Sequence, residues 1–145
     1  MTATLQKFNV FVQNLGRKTE GLNSSQDTIA IFLTDAAPVA TNTVYGGVGG
    51  TPAEIAAGHG YTAGGNTCTV TSWNQTSGTL KWIVASPTAW AASGGTIGPF
   101  RYAVLYDSTT TNLIGYYDYT AEITLQIGDT FTITLDGTNG VLQIA

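Results

Sequence analysis

Thr130-Phe131-Thr132-Ile133-Thr134-Leu135 decides the fold class, because three β-branched hydroxyl residues alternate with three large apolar ones. Period two puts the threonines on one face of an extended chain and Phe131, Ile133 and Leu135 on the other, which is the pattern of a half-buried strand. The flanks agree. Ile127-Gly128-Asp129 leads in as a tight connection, and Asn139-Gly140 follows with residues that accept the positive φ angles of a hairpin turn.

The same alternation recurs outward along the chain. Residues 7–13, apolar at Phe8, Val10 and Val12, and 28–34, apolar at Ile29, Ile31 and Leu33, read as strands separated by a polar connection over 16–26. Residues 67–73, 79–85, 100–107, 113–119, 122–127 and 141–144 read the same way, and the last four strands are expected to form a meander. One helix of about two turns is expected at 51–58, with Thr51 as cap, Pro52 in the first turn, Glu54 at the capping-box position and Gly58 as the stop. Many short strands with little helix in 145 residues imply one all-β domain over 1–145, a single-domain jelly roll or two-sheet β-sandwich with one short helix, the jelly roll being preferred. The Gly-rich, charge-poor stretch 42–66 is long for a loop and is expected to be a functional or interface excursion. Tyr45, Val48, Ile55 and Tyr61 within it, with Phe11 from the N-terminal strand, are the candidate interface residues.

Composition narrows the function. Hydrophobic residues make up 43% of the chain and charged residues only 10%, against roughly a quarter charged in ordinary globular domains. Thr, Ser, Asn and Gly replace the missing charge, which keeps a surface polar without the desolvation cost that Lys or Glu brings to an interface. Part of the surface is therefore expected to be covered by a partner. The net charge is −4, and the five cations, Lys7, Arg17, Lys18, Lys81 and Arg101, form no cluster larger than a pair, so nucleic acid is a poor candidate partner. Thr2, Thr4, Gln6, Lys7 and Asn9 interrupt any apolar export signal, no apolar run reaches membrane-spanning length, and a membrane partner is not expected. A lone cysteine excludes an intrachain disulfide and fits synthesis in a reducing cytoplasm.

Catalytic chemistry finds little support. Gly46-Gly47-Val48-Gly49-Gly50-Thr51 lacks the lysine of a phosphate loop and its strand-to-helix context. His59, the only histidine, excludes a multi-histidine zinc site, and a Cys/His pair would have to be Cys68 with His59, which nothing in the sequence brings together. Asp107, Asp129 and Asp136 fall at strand ends, where Asp serves local backbone hydrogen bonding, and no loop spaces oxygen ligands for calcium. No catalytic residue, metal or cofactor is expected. Tyr102, Tyr106, Tyr116, Tyr117 and Tyr119 crowd two adjacent strands, with Trp73, Trp82 and Trp90 upstream. Such rings serve as a sugar-binding platform, as core filling or as interface anchors, and the last two are the commoner uses in a sandwich.

The run Ala92-Ser93-Gly94-Gly95-Thr96-Ile97-Gly98-Pro99-Phe100-Arg101-Tyr102-Ala103-Val104-Leu105-Tyr106-Asp107, then Leu113-Ile114-Gly115-Tyr116-Tyr117-Asp118-Tyr119, Gly128-Asp129-Thr130-Phe131 and Asn139-Gly140-Val141-Leu142, resembles capsid decoration (cement) proteins of tailed bacteriophages. The resemblance covers about the last third to half of the chain. It implies a jelly-roll-like domain on the outside of the virion, made in the host bacterial cytoplasm. Its partner would be the major capsid protein, bound as a homo-oligomer, dimer or trimer, at a capsid symmetry axis. The alternative is a carbohydrate- or receptor-binding β-domain of a phage tail fibre or spike.

Overall fold

The computed structural model describes residues 3–23 and 27–145; residues 24–26 of the polar connection lie outside them. The described residues are mostly β, 42% strand and 8% helix, with antiparallel sheets and one α-helix among them, in keeping with an all-β sandwich. The larger sheet has the order β1-β8-β7-β2-β3, formed by β1 (Gln6–Lys7), β2 (Ile29–Thr34), β3 (Asn66–Cys68), β7 (Ile97–Asp107) and β8 (Leu113–Leu125). A three-stranded sheet, β10-β5-β4, comprises β4 (Val70–Thr76), β5 (Thr79–Val84) and β10 (Leu142–Ile144), and β6 (Trp90–Ala91) pairs with β9 (Thr130–Phe131).

Strand β2 shows why the sheets stack. Ile29, Ile31 and Leu33 point into the main core with Trp82 and Val84 of β5, Trp90, Leu105 and Ile133. Ala30 and Phe32 point to the opposite face, where Phe8, Val104, Tyr106 and Leu113 form a second cluster. A strand buried on both faces reads as a continuous apolar run, and every β2 residue is buried.

The N-terminus is helical where alternation predicts a strand, and Phe8, just before the helix, enters the second cluster. Helix α1 (Asn9–Gly16) buries Phe11 and Asn14, and Leu15 packs against the core. Phe8, Phe11 and Leu15 fit a 3.6-residue period as well as Phe8, Val10 and Val12 fit a period of two, and burial of the first set decides between them. The helix closes with Lys18 in the left-handed conformation (φ 60°) and Thr19 N–H donating to the Asn14 carbonyl at 2.9 Å.

The helix expected at 51–58 is absent: Gly58 makes an isolated bridge to Tyr61, and the nearest helical structure, Gly47–Gly49, is one turn of 3₁₀-helix upstream. Backbone bonds tie this segment to its surroundings instead, Glu54 N–H to the Gly47 carbonyl at 3.0 Å and Ile55 N–H to the Leu33 carbonyl at 3.1 Å. The expected meander is also absent. Residues 113–119 and 122–127 are largely one strand, β8, and the break expected near 120 is a bulge at which Thr120 takes φ 63° and donates its N–H to Asp118 Oδ1 at 2.7 Å. Strands β9 and β10 pair with β6 and β5, not with β8 or each other. The turn chemistry nevertheless holds. Gly128 and Gly140 have φ 92° and 86°, and Asp136 accepts the N–H groups of Thr138 and Asn139 at 2.8 Å.

Candidate functional site

Cys68 and His59 sit in different environments. Cys68 is buried at the end of β3, and burial pushes its thiol up to about 12, so it stays protonated and unreactive at neutral pH. His59 is exposed, with φ 56°, between two glycines. Neither belongs to a metal-ligating group among the described residues. No helix is long and apolar enough to cross a membrane among them.

The 42–66 excursion is built into the domain. Glu54 is buried, and its carboxylate accepts hydrogen bonds from Tyr45 Oη (2.6 Å), Tyr61 Oη (2.7 Å) and Gly64 N–H (2.7 Å), while Tyr61 Oη accepts the Leu33 N–H at 3.0 Å. Three donors satisfy a charge that would otherwise be costly to bury. Burial raises the Tyr45 and Tyr61 hydroxyls, with Glu54 adding in the same direction. Tyr45 also stacks on Tyr106 with ring centroids 4.7 Å apart. At Gly65 (φ 71°) a Cβ would collide with the Ile31 carbonyl, so only glycine lets the returning chain lie this close to β2.

This burial corrects the expected interface. Phe11 and Tyr61 are buried inside the domain and present no surface, and Ile55 and Tyr45 are half-buried against the core clusters. Only Val48, 56% exposed, stands free of the core, near the other exposed valines of this region, Val39 and Val44, in sequence.

Sequence reading also missed a group of three acids. Glu20, Asp27 and Asp107 bring carboxylate oxygens within 4.8 Å of one another, and Glu20 and Asp107 are buried. Asp107 does cap its turn, accepting Thr109 N–H (2.7 Å), Thr110 N–H (3.3 Å) and Thr110 Oγ1 (2.8 Å), but it is fully buried rather than solvated. Asp27 accepts the Gly21 N–H at 2.6 Å. Burial, reinforced by the two neighbouring aspartates, raises Glu20 to about 7. Glu20 therefore carries its proton for much of the time near neutrality, which relieves like-charge repulsion inside the group. Glu20 and Asp27 are near in sequence, but Asp107 joins them from the end of β7, so no local spacing announces the group.

Two surface features remain. An apolar groove of about 460 Å³ runs between α1 and β10, lined by Phe11, Val12, Leu15, Leu142 and Ile144 with Lys7 as its one charged residue. Val12 is 55% and Ile144 44% exposed there, and β1 and β10 are edge strands of their sheets. A second cleft of about 360 Å³ lies between β8 and the extended segment after β9, lined by Tyr117, Tyr119, Thr132 and Thr134. The remaining aromatics mostly fill the core: Trp82, Trp90, Tyr102 and Tyr106 are buried, whereas Trp73 is exposed. No protein-family model, curated protein or solved structure matches the chain.

Proposed function

We propose that this protein is a structural virion component that binds the outer surface of a tailed-phage capsid and stabilises the shell. The observation that carries the reading is the groove between α1 and β10, where Val12 and Ile144 leave apolar surface exposed beside a single charge. Exposed apolar surface on a rigid β scaffold suits association, and a charge-poor surface lowers the desolvation cost of covering it. The likeness of residues 92–107 and 113–119 to capsid decoration proteins points the same way. Its partner is the major capsid protein, and its own assembly is a dimer or trimer at a symmetry axis. Shell binding needs no reactive group, because a ligand that binds the assembled lattice and not its free subunits shifts the assembly equilibrium by mass action.

The test is cosedimentation of the purified protein with capsids that lack it. Wild type should saturate the shell at a fixed ratio to the major subunit. Val12→Ser with Ile144→Ser should remain folded and bind at least about tenfold more weakly, a loss of about 1.4 kcal/mol. Failure of the wild-type protein to sediment with capsids would overturn the reading, and binding unchanged in the double variant would move the contact away from the groove.

A further inference from the structure

We infer that the cleft between β8 and residues 132–134 is a binding site for a neutral carbohydrate. The inference does not rest on the shell-binding reading, which uses a different surface.

The cleft's chemistry selects the ligand. Tyr117 and Tyr119 occupy the same face of β8, two residues apart, and supply aromatic surface along one wall. Thr132 and Thr134, exposed on the facing extended segment, supply hydroxyls along the other, while Ile133 and Leu135 between and beyond them are buried. No charged side chain lines this volume. An anionic or cationic ligand would find no counter-charge here, and a purely apolar one would leave the hydroxyls unpaired. A pyranose matches both walls, because its C–H face packs on aromatic rings and its hydroxyls both donate and accept. The volume of about 360 Å³ lies at the lower end of the range for small-molecule sites and accommodates a sugar ring.

The walls are also pre-organised. Tyr119 packs edge-on against Phe131 with centroids 5.3 Å apart, and Tyr117 packs against the main core, so neither ring has to be ordered by the ligand. Neither tyrosine hydroxyl makes a hydrogen bond to another described residue, and burial of the rings raises both, so they remain neutral donors over the physiological range. A contiguous cleft of about 300 Å³ shares Tyr117 and Thr134 and continues past Leu5 to Val141, with Asp136 as its one charged lining residue, which gives a second ring room along the same path and disfavours an anionic one. The ligand class is therefore a neutral oligosaccharide, with one ring between Tyr119 and Thr132 and the next toward Val141.

The experiment is a titration of the full-length ¹⁵N-labelled protein with maltose, cellobiose, lactose and N,N′-diacetylchitobiose, followed by amide chemical shifts. At least one should give saturable shifts centred on residues 117–119 and 132–134, with a Kd in the millimolar range or tighter. Tyr119→Ala should abolish them. The isosteric double variant Thr132→Val with Thr134→Val, which keeps the volume of both side chains, should weaken binding by about fivefold or more while leaving the spectrum dispersed. The corresponding polysaccharides separate two sources of the same chemistry: retention by the polymer identifies a glycan chain, and binding of the disaccharide alone identifies a free sugar. Absence of saturable shifts with all four sugars to about 50 mM would overturn the inference. So would equal affinity in the threonine variant, or shifts at the cleft that follow protein concentration rather than sugar, which would identify a second copy of the chain as the occupant.

Discussion

Trp82 and Trp90 are both completely buried, yet their indole N–H groups differ. Trp82 Nε1 donates to the Leu22 carbonyl at 2.8 Å, whereas Trp90 Nε1 finds no partner among the described residues. Replacement by Phe removes similar volume at both sites but breaks a hydrogen bond only at the first, and at the second it removes a desolvated donor. Trp82→Phe should therefore cost more than Trp90→Phe by about 1–3 kcal/mol, measured by denaturant unfolding; equal costs would contradict the bonding described. The acids give a prediction with a definite sign. Glu20 binds its proton more tightly in the fold than in the unfolded chain, so its contribution is complete below about 4.5 and is lost as pH rises toward about 7. Asp118, held down by Arg101 and the Thr120 N–H, and Asp136, held down by the Asn139 and Thr138 N–H groups, act oppositely and lose their contribution as pH falls through the acid range. The melting temperature should thus be higher near pH 5 than near pH 7.5, and Glu20→Gln should remove most of that difference. A wild-type melting temperature that rises between the two pH values would show that burial of Glu20 does not govern this range.

At the scale of elements, the 42–66 excursion is the sharpest case. Its length and lack of charge suggest a detachable interface loop, but Glu54 and Tyr61 anchor it in the core. Deleting it should abolish cooperative unfolding rather than leave a folded domain. Glu54→Gln should cost about 2 kcal/mol or more, because an amide puts a donor where tyrosine and backbone N–H groups already donate; a loss below about 0.5 kcal/mol, typical of surface changes, would show that the network is not structural. The alternation at 130–135 was legible for a physical reason and limited for the same one. It reports correctly that Thr132 and Thr134 are exposed and that Ile133 and Leu135 are buried, although only Thr130 and Phe131 join a ladder. Period two records which side chains face the core; it does not record which backbone groups find a partner. Residues 9–16 were ambiguous because eight residues with five apolar or small members satisfy two periods at once, and tertiary packing of Phe11 decides. The pairing of β9 with β6 and β10 with β5, the link from Tyr61 to Leu33, the approach of Asp107 to Glu20 and Asp27, and the facing walls of the Tyr117 cleft join residues from separate segments of the chain. Local spacing carries no trace of them.

For the whole molecule, the deciding property is a surface with few charges and local apolar exposure on a scaffold buried from both sides of its central strand. If that surface meets a shell, attachment rests on apolar contact and neutral hydrogen bonds, which salt screens little. Binding to capsids should accordingly change by less than about threefold between low salt and physiological salt, where attachment through many ion pairs would weaken far more. The most direct measurement of the proposed role is the temperature of genome release from virions prepared with and without the protein, at low and at high salt. A higher release temperature in the presence of the protein at both salt concentrations is the expected result; equal release temperatures in the two preparations would contradict a shell-stabilising function.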